Sequence, residues 1–331
     1  MNKILITGAT GFIGNFLVDE ALKRNFEVYV AIRRSSKIEH IKNKGVKFIE
    51  IDFANKEDIK SKMASAREFD YIIHNAGLTK AIKNSSFFEI NYQFTKNFIE
   101  AIPFSNIYPK KFIYISSLAA MGPGKADLSA PISISETPAP ITNYGQSKLA
   151  SEKFIIERPE LRYLIIRPTA VYGPGDKDFF NMFKLINNHI DLMIGKHKQA
   201  LSFIYVKDLT RVIFDLLESS HYNKTYFASD GNAYDKTEMS DLIAQIMQKK
   251  IYRVNVPFAL VKIIAALSGN ISKVTGKASV INNEKIKEFS AHNWNCDISS
   301  LIKDINYKPN YTLEEGITET VAWYKEMGWI K

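Results

Sequence analysis

The sequence predicts an α/β protein: a doubly wound parallel sheet with a smaller, mainly helical C-terminal lobe. Three observations predict it. Strand-like runs alternate with helical ones through about residue 172. The strand runs are apolar throughout, which suits strands covered on both faces of a parallel sheet. Past Gly173-Pro174-Gly175 the alternation weakens and helical spacing takes over.

The elements follow in order. Lys3 to Thr7, "KILIT", is a short buried strand, and Phe16, Leu17, Ala21 and Leu22 mark the helix behind it. Strands come next at Glu27 to Arg33 and Val46 to Phe53, then a helix at "EDIKSKM". "DYIIHNAG" is a strand ending in a turn, "NYQFTKNFIEAI" a helix, and "KKFIYISSLAA" a strand running into a loop. A helix begins near Asn143, and "RYLIIRPTAVYG" is a further strand. Helices start at about Asp178 and Glu238, while "LSFIYVKDLTRVIFDLL" (Leu201 to Leu217) returns to the first domain. The first domain is therefore residues 1–173 plus about 201–230, and the second about 174–200 plus 231–331. "YTLEEGITETVAWYKEMGW" closes the chain as one helix beginning at Leu313.

Bulk properties narrow the function classes. The chain has 331 residues, enough for one large domain or two, with 46% hydrophobic and 24% charged residues. Cys296 is the single cysteine, so no intrachain disulfide or cysteine-built zinc site forms, and a reducing, cytoplasmic setting is expected. The net charge is 44 − 35 = +9, but the lysines are scattered and no nucleic-acid motif accompanies them. The longest apolar stretch, Pro257 to Gly269, contains Lys262 and falls short of the ~20 residues of a spanning helix. It reads as a packed helix, with an interfacial helix as the alternative. The partner expected is a small molecule, with no nucleic acid, no membrane span and no metal.

"TGATGFIG" places Gly8, Gly11 and Gly14 between the first strand and its helix. Glycines there permit a tight turn and close approach of a pyrophosphate, which the helix N-terminus attracts. The second strand ends "AIRRSS". An acid at that point would hold a free ribose 2′-hydroxyl, whereas Arg33 and Arg34 suit a 2′-phosphate, so NADP is favoured over NAD. Asp52 ends the third strand and serves either the adenine amino group or the loop itself.

Tyr144 and Lys148 stand four apart on one helical face in "NYGQSKLASEKF". A nearby ammonium stabilises phenolate and draws the phenol's pKa down from ~10, and such a tyrosine can exchange a proton with a substrate oxygen. Ser117 ends the "FIYISS" strand, on the side where parallel sheets present ligands, so the three side chains can surround one oxygen.

Taken in order, "TGATGFIG", "IDF", "HNAG", "INYQFTKNFIEA", "YISS", "YGQSKLASE" and "IIRPTAVYGPGD" resemble the extended short-chain dehydrogenase/reductase family, which includes sugar-nucleotide epimerases and dehydratases. The resemblance covers nearly the whole chain. It implies a Rossmann fold, Tyr144 as general acid/base, Lys148 as its electrostatic partner and ribose ligand, and Ser117 on the substrate oxygen, with Ser116 the alternative. It also implies a cofactor surface of Gly8, Gly11, Phe12, Ile13, Gly14, Asp52, Phe53, Asn75, Ala76, Gly77, Pro168 and Val171, with Tyr172 nearby. His74 is expected to be structural, Asn91 to order the helix beneath the site, and a homodimer to form through the helices of Tyr144 and Asn91.

One departure bears on the reaction. Sugar-nucleotide members often carry an Arg-Asp pair where this chain has Leu201 and Ser202 in "QALSFIYVKD". A diphosphate would lose a charged partner there. Leu118, Met121, Phe179, Phe180, Met182 and Phe183 read as apolar pocket candidates, with lobe core as the alternative. The expected function is NADP-dependent interconversion of a bulky or apolar alcohol and its ketone or aldehyde, as in the dihydroflavonol-reductase or hydroxysteroid-dehydrogenase branch. The alternative is a nucleotide-sugar epimerase or dehydratase with internally recycled NAD(P), in which Lys196, Lys198 or Arg211 replaces the missing arginine.

Overall fold

The structure, a computed structural model, describes residues 1–66, 68–102, 109–128, 130–261 and 283–331. Lys262 and the remainder of the apolar stretch to Gly269 lie outside the described residues.

Seven strands form one parallel sheet: β1 (Lys3–Thr7), β2 (Glu27–Ile32), β3 (Lys47–Glu50), β4 (Tyr71–His74), β5 (Lys111–Ile115), β6 (Tyr163–Pro168) and β11 (Lys224–Ala228). Their order is β11-β6-β5-β4-β1-β2-β3, the doubly wound arrangement of a Rossmann fold. β5 and β6 are buried along their whole length, as continuous apolar strands in a covered sheet must be. Helix α1 (Phe12–Lys23) follows β1, and α2 (Lys56–Ala66) separates β3 from β4. After β4 come a short α3 (Ser85–Phe87), a π-helical stretch at Phe88–Gln93 and α4 (Phe94–Ala101). The sequence suggested an ordinary helix there; the π-helical stretch carries the buried Asn91. α5 (Leu118–Met121) and α6 (Asn143–Ile156) lie between β5 and β6.

The run "RYLIIRPTAVYG" divides in two. Thr169, after Pro168, donates its backbone N–H to Ala228, and β7 (Ala170–Tyr172) then leaves the sheet to pair with β10 (Phe203–Tyr205). α8 (Val206–Glu218) and β11 return the chain to the main sheet.

The smaller lobe contains α7 (Phe180–Asn187), α9 (Glu238–Ile246) and α12 (Leu313–Glu326), whose first turn is fixed by reciprocal bonds between Thr312 and Glu315. It carries more strand than the spacing suggests. β8 (Ile190–Ile194) pairs with β12 (Tyr252–Val256), and β9 (Ala200–Leu201) with β13 (Asn293–Trp294), both in parallel. Its core is aromatic: the Phe180 and Phe183 rings each lie 5.1 Å from that of Tyr324, which stacks on Trp329. α10 (Asn283–Ser290) precedes β13 and α11 (Ser299–Ile305) follows it. Cys296, Ile298, Leu301 and Tyr307 pack into the core of the main sheet.

Candidate active site

The carboxyl ends of the parallel strands gather the residues that the sequence singles out. At the end of β1, Gly8 has φ +68, and a Cβ there would lie 2.7 Å from the backbone nitrogen of Ala76. A Cβ on Gly14 would fall 2.1 Å from the Gly8 carbonyl oxygen. The turn therefore requires both glycines. Gly11 differs: its φ is −86 and a Cβ would meet only the Gly8 carbonyl oxygen, at 3.3 Å. Its bareness leaves the approach to α1 open. That helix begins with no side-chain cap and no acid in its first turn, so its leading N–H groups, around Phe12 and Ile13, suit a pyrophosphate.

Beyond β2, Arg33 and Arg34 are exposed at the sheet edge. Asp52 accepts the backbone N–H of Ala54 at 3.0 Å, the loop-capping role weighed from the sequence. Phe53 departs from its expected place: its ring is buried, 5.7 Å from Phe98, so its side chain belongs to the core. Beyond β4, Asn75 Nδ2 donates to the Gly8 carbonyl at 3.2 Å, and the Ala76 N–H donates to Thr7 Oγ1 at 3.0 Å. A Cβ on Gly77 would stand 3.6 Å from Lys148 Nζ, so this turn borders the lysine. Pro168 ends β6, and Val171 is half-buried between the two cores. Tyr172 turns into the lobe core against Tyr205, away from the strand edge.

Ser117 follows β5, and Tyr144 and Lys148 stand on the first two turns of α6. Thr142 caps that helix by accepting the Gly145 N–H at 3.0 Å. Gly145 sets the approach of the two elements: a Cβ there would lie 2.1 Å from the Ala119 carbonyl oxygen. The bare glycine lets α6 press against the turn that carries Ser117. The Ser117 hydroxyl thereby reaches the Tyr144 phenol and favours its ionised form, but burial dominates and holds the phenol up at about 12. Ser116 points elsewhere, donating to the buried Glu152, which also pairs with Arg167 at 2.6 Å. Of the two serines, Ser117 is the one that faces Tyr144.

Lys148 Nζ donates to the Ile115 carbonyl at 2.6 Å and lies 4.3 Å from the centroid of the Tyr114 ring. Burial lowers its pKa to about 7, against the attraction of Glu152. The expected lowering of the tyrosine by this ammonium is not seen among the protein groups alone. The lysine is turned to a carbonyl, and desolvation outweighs the help from Ser117.

A buried polar chain supports the site. Thr7 Oγ1 bonds His74 Nδ1, and His74 Nε2 bonds Thr95 Oγ1, both at 2.9 Å. Thr95 and Ser151 both donate to the Asn91 carbonyl. The Asn91 amide accepts the Leu78 N–H at 2.6 Å and donates to Ser147 Oγ at 2.9 Å. Ser147 in turn donates to the Tyr144 carbonyl at 2.7 Å. Asn91 therefore couples the turn after β4 to α6. Burial keeps His74 neutral, with its pKa lowered to about 3.

Several contributors escape the sequence reading. The Glu284 carboxylate on α10 accepts the backbone N–H of Asn143 and, at 3.0 Å, its side-chain amide. Lys80, beyond β4, pairs with Asp178, which precedes α7. Phe87 places its ring 6.1 Å from that of Tyr144. None of these left a signal in the sequence, unlike Gly145, since glycine is costly in a helix without a packing reason.

The apolar pocket candidates resolve mostly as core. Phe180 and Phe183 belong to the Tyr324 cluster, Leu118 and Met121 are buried under the main sheet, and Phe179 lies 6.0 Å from Phe203. Met182 packs half-buried against the lobe core. Ser202 is buried and its hydroxyl bonds the Asn232 carbonyl at 3.0 Å and Asn295 Oδ1 at 3.1 Å. Arg211 is committed to Asp208 and to the Lys308 carbonyl. Lys196 and Lys198 are exposed.

A Rossmann sheet with a glycine turn and a Ser/Tyr/Lys set at its carboxyl edge defines a nicotinamide-dependent enzyme class. The chain belongs to the NAD dependent epimerase/dehydratase family, whose profile matches residues 4–227. It is an NAD(P)-dependent enzyme of the extended short-chain dehydrogenase/reductase type. It is 27% identical to the UDP-glucose 4-epimerase of Vibrio cholerae, over 96% of this chain and 94% of that one. It is also 27% identical to the ceramide reductase of Caulobacter vibrioides, over 99% and 96%. The solved UDP-glucose 4-epimerase of Thermus thermophilus in complex with NAD superposes with a TM-score of 0.77 at 20% identity, covering 98% and 99%, a likeness of fold. Among the described residues no helix is long and apolar enough to cross a membrane.

Proposed function

We propose that this protein is an NADP-dependent oxidoreductase interconverting a bulky or apolar alcohol and its ketone or aldehyde. The bound nicotinamide would supply or accept the hydride. In the reductive direction Tyr144 donates its proton to the substrate oxygen while the Ser117 hydroxyl hydrogen-bonds the developing alkoxide; oxidation reverses both roles. Lys148, one turn along the same face, would hold the nicotinamide ribose and, drawn from the Ile115 carbonyl toward the cofactor, favour the phenolate. Gly8, Gly11, Phe12, Ile13 and Gly14 receive the pyrophosphate, Asn75, Ala76, Gly77, Pro168 and Val171 border the cofactor, and Asp52 stands at the adenine end. In this reading the nucleotide belongs to residues 1–173 and about 201–230. The substrate belongs to about 174–200 and 231–331, except that Cys296 to Tyr307 pack with the sheet. The assembly proposed is a homodimer through α6 and α4.

The observation that carries the substrate reading is Ser202. With Leu201 it occupies the arginine–aspartate position of sugar-nucleotide members: Leu201 brings no charge there, and the Ser202 hydroxyl is spent on Asn232 and Asn295. Arg211 is likewise engaged and does not replace the lost cation. The second reading, a nucleotide-sugar epimerase or dehydratase, rests on the Vibrio cholerae relative and on the exposed Lys196 and Lys198.

Cofactor choice is testable by titration. Replacing Arg33 and Arg34 together by serine is expected to weaken NADP binding ~10–100-fold, the loss of one or two charge-assisted contacts, and to leave NAD binding within about twofold. Tighter binding of NAD than NADP by the unaltered protein, with no change in the variant, would remove the NADP assignment.

A further inference from the structure

The ribbon of β8 and β12 inverts the polarity expected of an exposed strand pair. In their parallel register Ile190 lies beside Tyr252, and Leu192 beside Val254. Alternation puts these four side chains on one face. They are 38%, 65%, 48% and 47% exposed, respectively. On β8 the intervening residues turn inward, whereas Arg253 and Asn255 of β12 stay exposed. Asp191 is buried and accepts from Arg253 Nε at 2.7 Å and from Ser240 Oγ at 3.0 Å, and Met193 is buried behind it. A sheet with one wet face normally sends its charges out and its apolar side chains in. Here the Asp191 carboxylate is bonded inside and four adjoining apolar side chains meet water.

Basic residues frame this face at both ends. Lys249 and Lys250 immediately precede β12, and Lys196 and Lys198 follow β8. Lys250, Lys196 and Lys198 are exposed. Arg253 pairs with both Asp191 and Asp241 beside the ribbon, so this group leaves one net negative charge against the four lysines. An apolar strip between cationic ends matches a surface that is apolar within and anionic at its boundary.

We propose that the outer face of the β8–β12 ribbon docks this protein on an anionic lipid surface as a peripheral contact. Ile190, Leu192, Tyr252 and Val254 enter the headgroup boundary, and the flanking lysines meet lipid phosphates. Four half-exposed side chains are too few to hold a protein on neutral lipid, so binding depends on anionic lipid and weakens with salt. The proposal stands on this surface and not on the substrate reading. It would place the smaller lobe where a bulky, apolar alcohol accumulates.

Vesicle sedimentation of the full chain tests it. Phosphatidylcholine vesicles with about one third phosphatidylglycerol are expected to pellet the protein at low salt, and pure phosphatidylcholine to bind at least ~10-fold more weakly. The double variants Leu192→Ser/Val254→Ser and Lys249→Glu/Lys250→Glu are each expected to lower binding to the mixed vesicles ~10-fold. Their melting temperature and NADP affinity should stay as in the parent, so a folding defect in either pair is recognised and the other decides. Failure of the unaltered chain to pellet with mixed vesicles, or equal pelleting of folded variants, would overturn the proposal. So would a Leu192→Ser/Val254→Ser variant that loses only self-association in light scattering, which would make the face a contact between copies of this chain.

Discussion

Beneath the strand edge, buried polar side chains run in a line from Thr7 through His74, Thr95 and Asn91 to Ser147 and the backbone of Tyr144. In the smaller lobe they close on one another, as Asp191 does with Arg253 and Ser240, and the space is filled by aromatic rings. In the first region polarity fixes the backbone of Tyr144. In the second, packing fixes a shape. The two regions are thus held by different kinds of contact, a buried polar chain in one and packed rings in the other.

Substitutions can break this comparison, beginning with the largest effect. Tyr144→Phe removes one hydroxyl from a half-buried ring. Turnover should fall ~10²–10⁴-fold, the range for a lost general acid, while the melting temperature hardly moves. Loss of stability with retained turnover would put Tyr144 among packing residues. Phe183→Ala is the reverse case in the lobe. Its ring is fully buried beside Tyr324, so truncation should cost about 3–5 kcal/mol in denaturant unfolding, with NADP affinity of the folded fraction unchanged.

Lys148 sharpens the comparison through pH. Its folded pKa of about 7 lies below the ordinary 10.5. Between those values the unfolded chain binds the extra proton, so unfolding free energy from this residue rises with pH from about 7 to 10.5 and is least favourable below 7. Lys148→Met should flatten that rise in melts taken across the window and should also lose turnover. An unchanged slope would mean that the ammonium is solvated in the folded protein.

The sheet was legible because buried parallel strands are apolar runs: β1, β2, β4, β5 and β6 lie where the residues place them. The glycine turn and the Tyr144/Lys148 pair were legible because each compresses a geometric demand into a short stretch. Lys80–Asp178 and Asn143–Glu284 were not, since each joins residues far apart in the chain whose types are common on any surface. The apolar residues at 179–183 left two readings open for a related reason. A pocket wall and a lobe core have the same composition, and only Tyr324 and Trp329, brought from the C-terminus, show which of them Phe180 and Phe183 join. Phe53 shows the same limit at the sheet edge, where one residue after Asp52 the side chain already faces inward.

The central claim is a net redox reaction with a nucleotide that comes and goes. The measurement that tests it most directly is to purify the protein without added cofactor, identify the nucleotide released on denaturation, and follow its exchange with the other redox form. The account predicts NADP(H), exchanged within a turnover time, with NAD(H) binding weakly. NAD retained through dialysis and not exchanged would contradict it, because a hydride recycled within one catalytic cycle needs no exchange, and nucleotide sugars would then be the substrates to try.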